Sequence, residues 1–403
     1  MKHVIALDVS KGKSTVAIYD GHRQCEFEGV LLHTRGDFER LNERIEQDGQ
    51  APAIVFEATG TYSKPIEAFF KDYGYAYCRM NPLEANLQMA TMRRHKTDIS
   101  DAHELAKTHF KMEREITYIQ DDYYEQMRAL TRYYDEIDEE IILLKSRMHA
   151  ILQLSFPELE KLITPSSALF LNIVQLYPHP ALLQAHSKTM IKNRLKANTR
   201  KNLSLMRAEA KAITLLEAAE NSYPAIKPTD IRCDQARDYA ARIADLQEKK
   251  DTLVKQMVEL SEGRKEYLVF RSIPGIGDST ACRLIGEIGD IHRFQNAKQL
   301  NAYAGIDIMR YQSGNMQYRD RINKRGNKHL RKILYFMVCA MLMAKGKPNH
   351  FVDYYYKLKK QPQRKPHKVA IIACINKFLK VTFQLLTRGI LYDYESALPA
   401  QKS

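Results

Sequence analysis

Apolar and polar positions alternate through the first quarter of the chain. His3–Val9, Ser14–Tyr19 and Glu26–Leu32 are apolar, β-branched runs parted by KGK and DGH, so the pattern predicts two hairpins. Asp37–Gln47 has helical spacing. The run AIVFE at Ala53–Glu57 reads as a buried strand, Ser63–Tyr73 as a helix, and Ala76–Met80 as a strand closed by Pro82. Three antiparallel strands followed by alternating helix and strand predict a mixed α/β domain reaching to about residue 110.

The pattern then lengthens to 3.5 residues. Met127, Leu130, Tyr134, Ile137, Ile141, Leu144, Met148 and Ile151 form one heptad series, and Tyr239, Ile243, Leu246, Lys250, Leu253, Met257 and Leu260 a second. Each is a coiled-coil seam, and the same spacing equally suits two amphipathic helices packed within one chain. Between them Ser187–Lys211 is basic and Pro224–Pro228 is a turn. A third region begins near Tyr267 with a Gly-containing loop and continues as helices. The expected division is 1–115 for the α/β domain, 116–265 for the helical coiled-coil insertion, 266–388 for a mostly helical C-terminal domain and 389–403 for a tail.

Charge changes this picture. Lys and Arg number 62 against 48 Asp and Glu, a net +14. Between Arg321 and Lys380 stand sixteen Lys and Arg with Asp353 as the single acid, so the remainder is close to neutral. A concentrated basic segment on a neutral body points to a polyanion, most often nucleic acid. The first residues hold no apolar run of signal-peptide length, and the apolar runs Ile333–Ala344 and Val369–Ile375 are too short to cross a bilayer. Six cysteines stand far apart with no CxxC pair, which excludes a zinc ribbon or redox motif and suits free thiols in a reducing cytoplasm.

Several residues can carry chemistry. Asp8 lies at or near the end of the first strand, in IALDVSK, and Glu57 ends AIVFE. Asp98 and Asp101 open a helix in HKTDISDAHELA, and their spacing of three puts both on one face. Acids gathered by one sheet repel each other unless a cation sits among them, and Mg²⁺ prefers carboxylate oxygens while keeping positions for phosphate. SIPGIGDSTACRL, Ser272–Leu284, has the form of a helix-hairpin-helix whose Gly275 and Gly277 would admit a phosphate to the following helix N-terminus. Ser313 precedes Gly314 in a polar stretch followed by Arg319, Arg321, Lys324, Arg325, Asn327, Lys328 and Arg331. These cations and Asn327, with Lys11 in the first turn, are expected to meet nucleic-acid backbones.

In this order, ALDVSK, FEATG, HKTDISDA, PGIG and YQSG…NKRGNKHLRK resemble the DEDD-type insertion-sequence transposases. These are bridge-RNA-guided recombinases with which the Piv-type DNA invertases are grouped. The resemblance covers roughly residues 3–110 and 267–345. It implies a RuvC-like, ribonuclease-H-type sheet, a long coiled-coil insertion and a compact C-terminal transposase domain. It further implies that Asp8, Glu57, Asp98 and Asp101 hold Mg²⁺ and that Ser313 is a nucleophile forming a transient covalent bond to DNA. Donor and target DNA, a structured guide RNA and further copies of the chain, as a dimer assembling to a tetramer, are the implied partners, with no membrane. The expected location is the bacterial cytoplasm, at the nucleoid. The competing readings are a Piv-like invertase, a RuvC-like structure-specific nuclease that needs the acids but not Ser313, and a non-catalytic nucleic-acid-binding protein.

Overall fold

A computed structural model describes residues 3–47, 49, 51–82, 85, 97–112, 114–165, 167–198, 203–309, 312–313, 316–317, 321–344 and 347–395. The chain forms two compact units, Met1–Ile119 and Gln120–Ser403.

In the first unit β1 (Val4–Ser10), β2 (Lys13–Tyr19) and β3 (Cys25–Leu32) are followed by α1 (Arg35–Gln47), β4 (Ala53–Glu57), α2 (Lys64–Asp72), β5 (Tyr77–Met80) and α3 (Asp98–Lys111). The sheet order is β3-β2-β1-β4-β5. β1, β2 and β3 are mutually antiparallel neighbours, whereas β4 runs parallel to both β1 and β5. This mixed five-stranded sheet fits the ribonuclease-H type that the resemblance implies. Alternation along the strands sorts side chains to two faces. Ile5, Leu7, Val9, Ile54 and Phe56 join Leu41, Ile45, Ile66 and Phe70 of α1 and α2. Val4, Ala6, Ala17, Val55 and Cys78 instead meet Ala102, Leu105 and Ala106 of α3. Alanines on both sides of this second layer leave room for the helix to lie close on the sheet.

The second unit is mostly helical. Its helices are α4 (Asp122–Ser155), α5 (Leu159–Leu162), α6 (Ala168–Leu176), α7 (Pro180–Gln184), α8 (Lys188–Asn198), α9 (Leu205–Asn221), α10 (Ile231–Ser261), α11 (Lys265–Ser272), α12 (Asp278–Ile288) and α13 (Ala297–Ala304). Four two-residue strands follow, β6 (Ile308–Met309), β7 (Gln312–Ser313), β8 (Met316–Gln317) and β9 (Arg321–Ile322), then α14 (Lys328–Met343), α15 (His350–Lys359) and α16 (His367–Arg388).

The two heptad series are the facing stripes of α4 and α10, which pack antiparallel within the chain. Tyr123 bonds Ser261 at one end, 2.9 Å between hydroxyls, and Arg242 pairs with Glu140 farther along. Ile137, Ile141, Leu144, Ile243 and Met257 are buried between them and their neighbours. The two stripes therefore pack against each other within one chain, the second of the two packings compatible with the spacing, although Leu260 at the end of the second stripe stays exposed. One hydrophobic core runs from Tyr123 to Leu386, so the segments that the sequence pattern separates near residue 265 share it. The apolar α16 has the length and composition of a membrane span, yet Ile371, Cys374, Ile375, Phe378 and Leu379 lie fully buried in that core.

Candidate active site

The register of the sheet positions two carboxylates. Leu7 of β1 faces Phe56 of β4 across a parallel ladder, so the next residues, Asp8 and Glu57, are neighbours on adjacent strands. Parallel neighbours point the same way. Asp8 follows the Val4–Ala6 alternation and Glu57 the Val55 alternation, which places both on the face that α3 covers. Both are half-buried. Asp101 stands one helical turn before Leu105, and Asp98 one turn before Ala102, so the two acids extend the buried stripe of α3 toward its N-terminus. Thr97 caps this helix: its hydroxyl accepts the Ser100 N–H, and the Ser100 hydroxyl accepts the Thr97 N–H. The negative first turn also suits the positive end of the helix dipole.

The structure thus brings Asp8 and Glu57 side by side and sets Asp101, half-buried, and Asp98, exposed, on the helix laid over that face. Among the described residues, no three Asp, Glu, His or Cys side chains are close enough together to grip an ion as they stand. The donor set itself, carboxylate oxygens alone, fits a hard divalent cation rather than zinc. Lys11 lies exposed in the two-residue turn between β1 and β2, where Gly12 takes a left-handed conformation.

In the second unit Ser313 lies on β7, its backbone opposite Met316 of β8. The ribbon that carries it is closed at its neck. β6 pairs with β9, the Asn323 N–H bonds the Asp307 carbonyl, Lys324 bonds Gly305 and Asn327 bonds Tyr303. Gly305 and Gly326 meet back to back here: a Cβ on Gly326 would fall 2.3 Å from the Tyr303 oxygen and 2.4 Å from the Gly305 nitrogen.

The expected backbone-binding residues divide by what they touch. Arg321, Lys324, Arg325 and Lys328 are exposed at the neck and at the start of α14. Asn327 instead caps α14, accepting the His329 and Leu330 N–H groups, and its amide donates to buried Glu287 at 2.6 Å. Arg331 donates to the Ala304 carbonyl at 2.9 Å and to that of Lys324, closing the C-terminus of α13. Arg319 lies outside the described residues. The hairpin between α11 and α12 forms as expected, but Gly275 is fitted to α14. Its φ is +91°, and a Cβ would come within 2.9 Å of Met341 Cγ. Gly277 borders open space at the N-terminus of α12, where the Asp278 carboxylate is held by Arg271 and Tyr267.

Beneath the neck lies a polar junction that the heptad reading passes over. Glu287 of α12 is fully buried and receives Arg132 of α4 at 2.6 and 2.9 Å. Asp135 of α4 is 2% exposed and is met by Arg283 at 2.7 Å, His329 Nδ1 at 3.2 Å and Lys332 at 3.5 Å. Burial alone would raise the Asp135 carboxyl, but Arg283 and then His329 and Lys332 outweigh it and hold its pKa below the ordinary carboxylate range. The junction fixes the start of α14, and so the base of the serine ribbon, against α4 and α12.

Two family models match the chain. Residues 5–157 match a DEDD transposase model of the IS110 type, and residues 267–356 match the transposase IS116/IS110/IS902 family. An uncharacterized 43.6 kDa protein of insertion element IS110 from Streptomyces coelicolor is 22% identical over 76% of this chain and 73% of its own length. The transposase for insertion sequence element IS1111A of Coxiella burnetii is 35% identical over 30% of this chain and 33% of its own. A pilin gene-inverting protein of Moraxella bovis is 31% identical over 30% of this chain and 37% of its own.

Proposed function

Because the chain belongs to the IS110/IS116 family of DEDD transposases, enzymes of DNA recombination, we propose that it exchanges DNA strands through a covalent serine intermediate. The observation that carries this reading is the pairing of Asp8 with Glu57 on the face covered by α3. In the proposal Asp8, Glu57, Asp98 and Asp101 hold Mg²⁺. When bound, the ion supplies Lewis-acid stabilisation of charge developing at the phosphate. The Ser313 hydroxyl attacks the scissile phosphorus. A phosphoserine ester forms, the bond to the 3′-oxygen breaks, and the proton lost by serine is balanced by one gained at the freed 3′-hydroxyl. A 3′-hydroxyl from another strand then attacks the ester and restores the serine, so strands exchange without hydrolysis or ATP. Arg321, Lys324, Arg325 and Lys328, exposed around the ribbon's neck, hold the phosphate backbones of DNA and of a structured guide RNA.

The acids belong to the first unit and Ser313 to the second, and we assign them to different subunits of a dimer or tetramer at each working site. The same chemistry serves insertion or inversion, and a relative named as gene-inverting favours keeping the Piv-type reading as the second choice. The test is a denaturation-resistant protein–DNA adduct in the presence of Mg²⁺. The adduct is expected with the wild type and absent with Ser313→Ala and with Asp8→Asn. Normal strand exchange by Ser313→Ala would overturn the nucleophile, and cutting without exchange or adduct by the wild type would leave a nuclease.

A further inference from the structure

A second basic surface lies far from the serine ribbon. From Ser187 to Lys211 eight Lys and Arg accompany a single acid, Glu209. The structure folds Lys188–Asn198 of this stretch into α8 and its residues from Leu205 onward into the start of α9, with Ile191, Leu195, Ala208 and Ala212 buried beneath, while Arg200 and Lys201 lie outside the described residues. Lys188, Lys192 and Lys196 follow one another every four residues along α8, a rise of about 6 Å each. Arg194 and Arg207 are exposed nearby. Two features set this surface apart from an ordinary solvated face. Neither α8 nor α9 has an acid in its first turn, although Lys188 and Arg207 stand there against the positive end of each helix dipole. The lone carboxylate, Glu209, bonds Lys188 at 2.9 Å, and that bond, with Lys188 and Lys192 beside it, holds its pKa low, as expected where the local field is positive.

Its position is also defined. The Asn172 amide of α6 donates to the Leu195 carbonyl of α8, and Arg237, near the start of α10, bonds the Gln175 carbonyl of α6. The surface therefore sits where α10 begins and α4 ends. The junction with α14 touches α4 at Asp135, and the twenty residues from there to Ser155 span about 30 Å of helix.

We propose that the outer ridge of α8, with the first turn of α9, binds the phosphate backbone of duplex nucleic acid as a second, sequence-independent binding surface. This rests on the reading of the chain as a DNA recombination enzyme. The experiment measures binding of the full chain to a duplex of about 30 bp by fluorescence anisotropy, between about 50 and 200 mM salt, without Mg²⁺ so that no strand is cut. The triple variant Lys192→Ala, Lys196→Ala, Arg207→Ala should flatten the slope of log affinity against log salt by about 0.9 for each phosphate that is no longer neutralised. The charge-keeping variant Lys192→Arg, Lys196→Arg, Arg207→Lys should keep the wild-type slope. A wild-type slope in the alanine variant overturns this inference and leaves the recombinase reading intact, whereas a wild type that binds no duplex overturns both. Equal losses in the two variants would mean that these side chains support the fold instead, and would overturn the proposal. A loss confined to vesicles of phosphatidylcholine with phosphatidylserine would assign the surface to a membrane and overturn it as well.

Discussion

Replacing Asp135 by Asn removes the charge at the junction of α4, α12 and α14 while keeping the side chain's shape. Breaking a buried ion pair from one side costs about 3–5 kcal/mol. The partners here are not fully enclosed, since the side chains of Arg283, His329 and Lys332 are 16, 21 and 35% exposed. They can partly rehydrate, so the lower end, about 3 kcal/mol, is expected. The sign with pH follows from the lowered carboxyl. Such a group stabilises above its unfolded pKa and loses its contribution as pH falls through its folded value. The gap between wild type and Asp135→Asn should be full near pH 7 and shrink below about pH 4. Urea unfolding followed by far-ultraviolet circular dichroism reads it, because the second unit supplies most of the helix and the chain has no Trp to report by fluorescence. A difference below about 1 kcal/mol at pH 7 would refute the reasoning, as would one equally large near pH 3.

Mg²⁺ should raise the melting temperature of the wild type in proportion to its occupancy of the folded state, and Asp8→Asn should lose that response; an identical rise in both would remove Asp8 from the metal site. Gly326→Ala must push a Cβ into the Tyr303 and Gly305 backbone, and about 2 kcal/mol or more of destabilisation is expected by urea titration, against none if the neck adjusts freely. Ile141→Asp buries a charge between α4 and α10, so helicity should fall together with any change in mass; a well-folded protein of lower oligomeric state by light scattering would show instead that the seam joins subunits. Co-assembling Asp8→Asn with Ser313→Ala should restore covalent DNA attachment, measured against each variant alone. No recovery in mixed oligomers confirmed by differential tags would place acids and serine of one site in the same subunit.

The sheet was legible because its signal is local. Alternation along His3–Val9 and Ala53–Glu57 separates Ile5, Leu7 and Phe56 from Val4, Ala6 and Val55, and the odd members of the second set are Asp8 and Glu57. The partner of the heptad seams was not legible, because a period of 3.5 marks a stripe and not what covers it. The same stripe hid the polar junction. Met127, Thr131 and Asp135, spaced by four, form a second buried ridge on α4 that faces α12, where Gly286 leaves room for Thr131 Oγ1 and the Met127 carbonyl. A small residue and an acid beside an apolar seam are the available signal, and it becomes readable only once the opposing glycine is known. Asn327, Arg331 and Gly275 looked like phosphate ligands because their types suit that role. Their caps and close approaches depend on Glu287, Ala304 and Met341, each of which lies 27 or more positions away along the chain.

The closed neck of the serine ribbon sets a leash. Met309, the last residue of β6, is held to Arg321 of β9, and Ser313 lies four residues beyond it. Fully extended, those four residues reach about 14 Å. Under the proposed function, the serine is therefore confined to a short reach around the β6–β9 ladder. On that reading a scissile strand would have to be delivered to within this radius of the β6–β9 ladder, leaving the ribbon only the last short step.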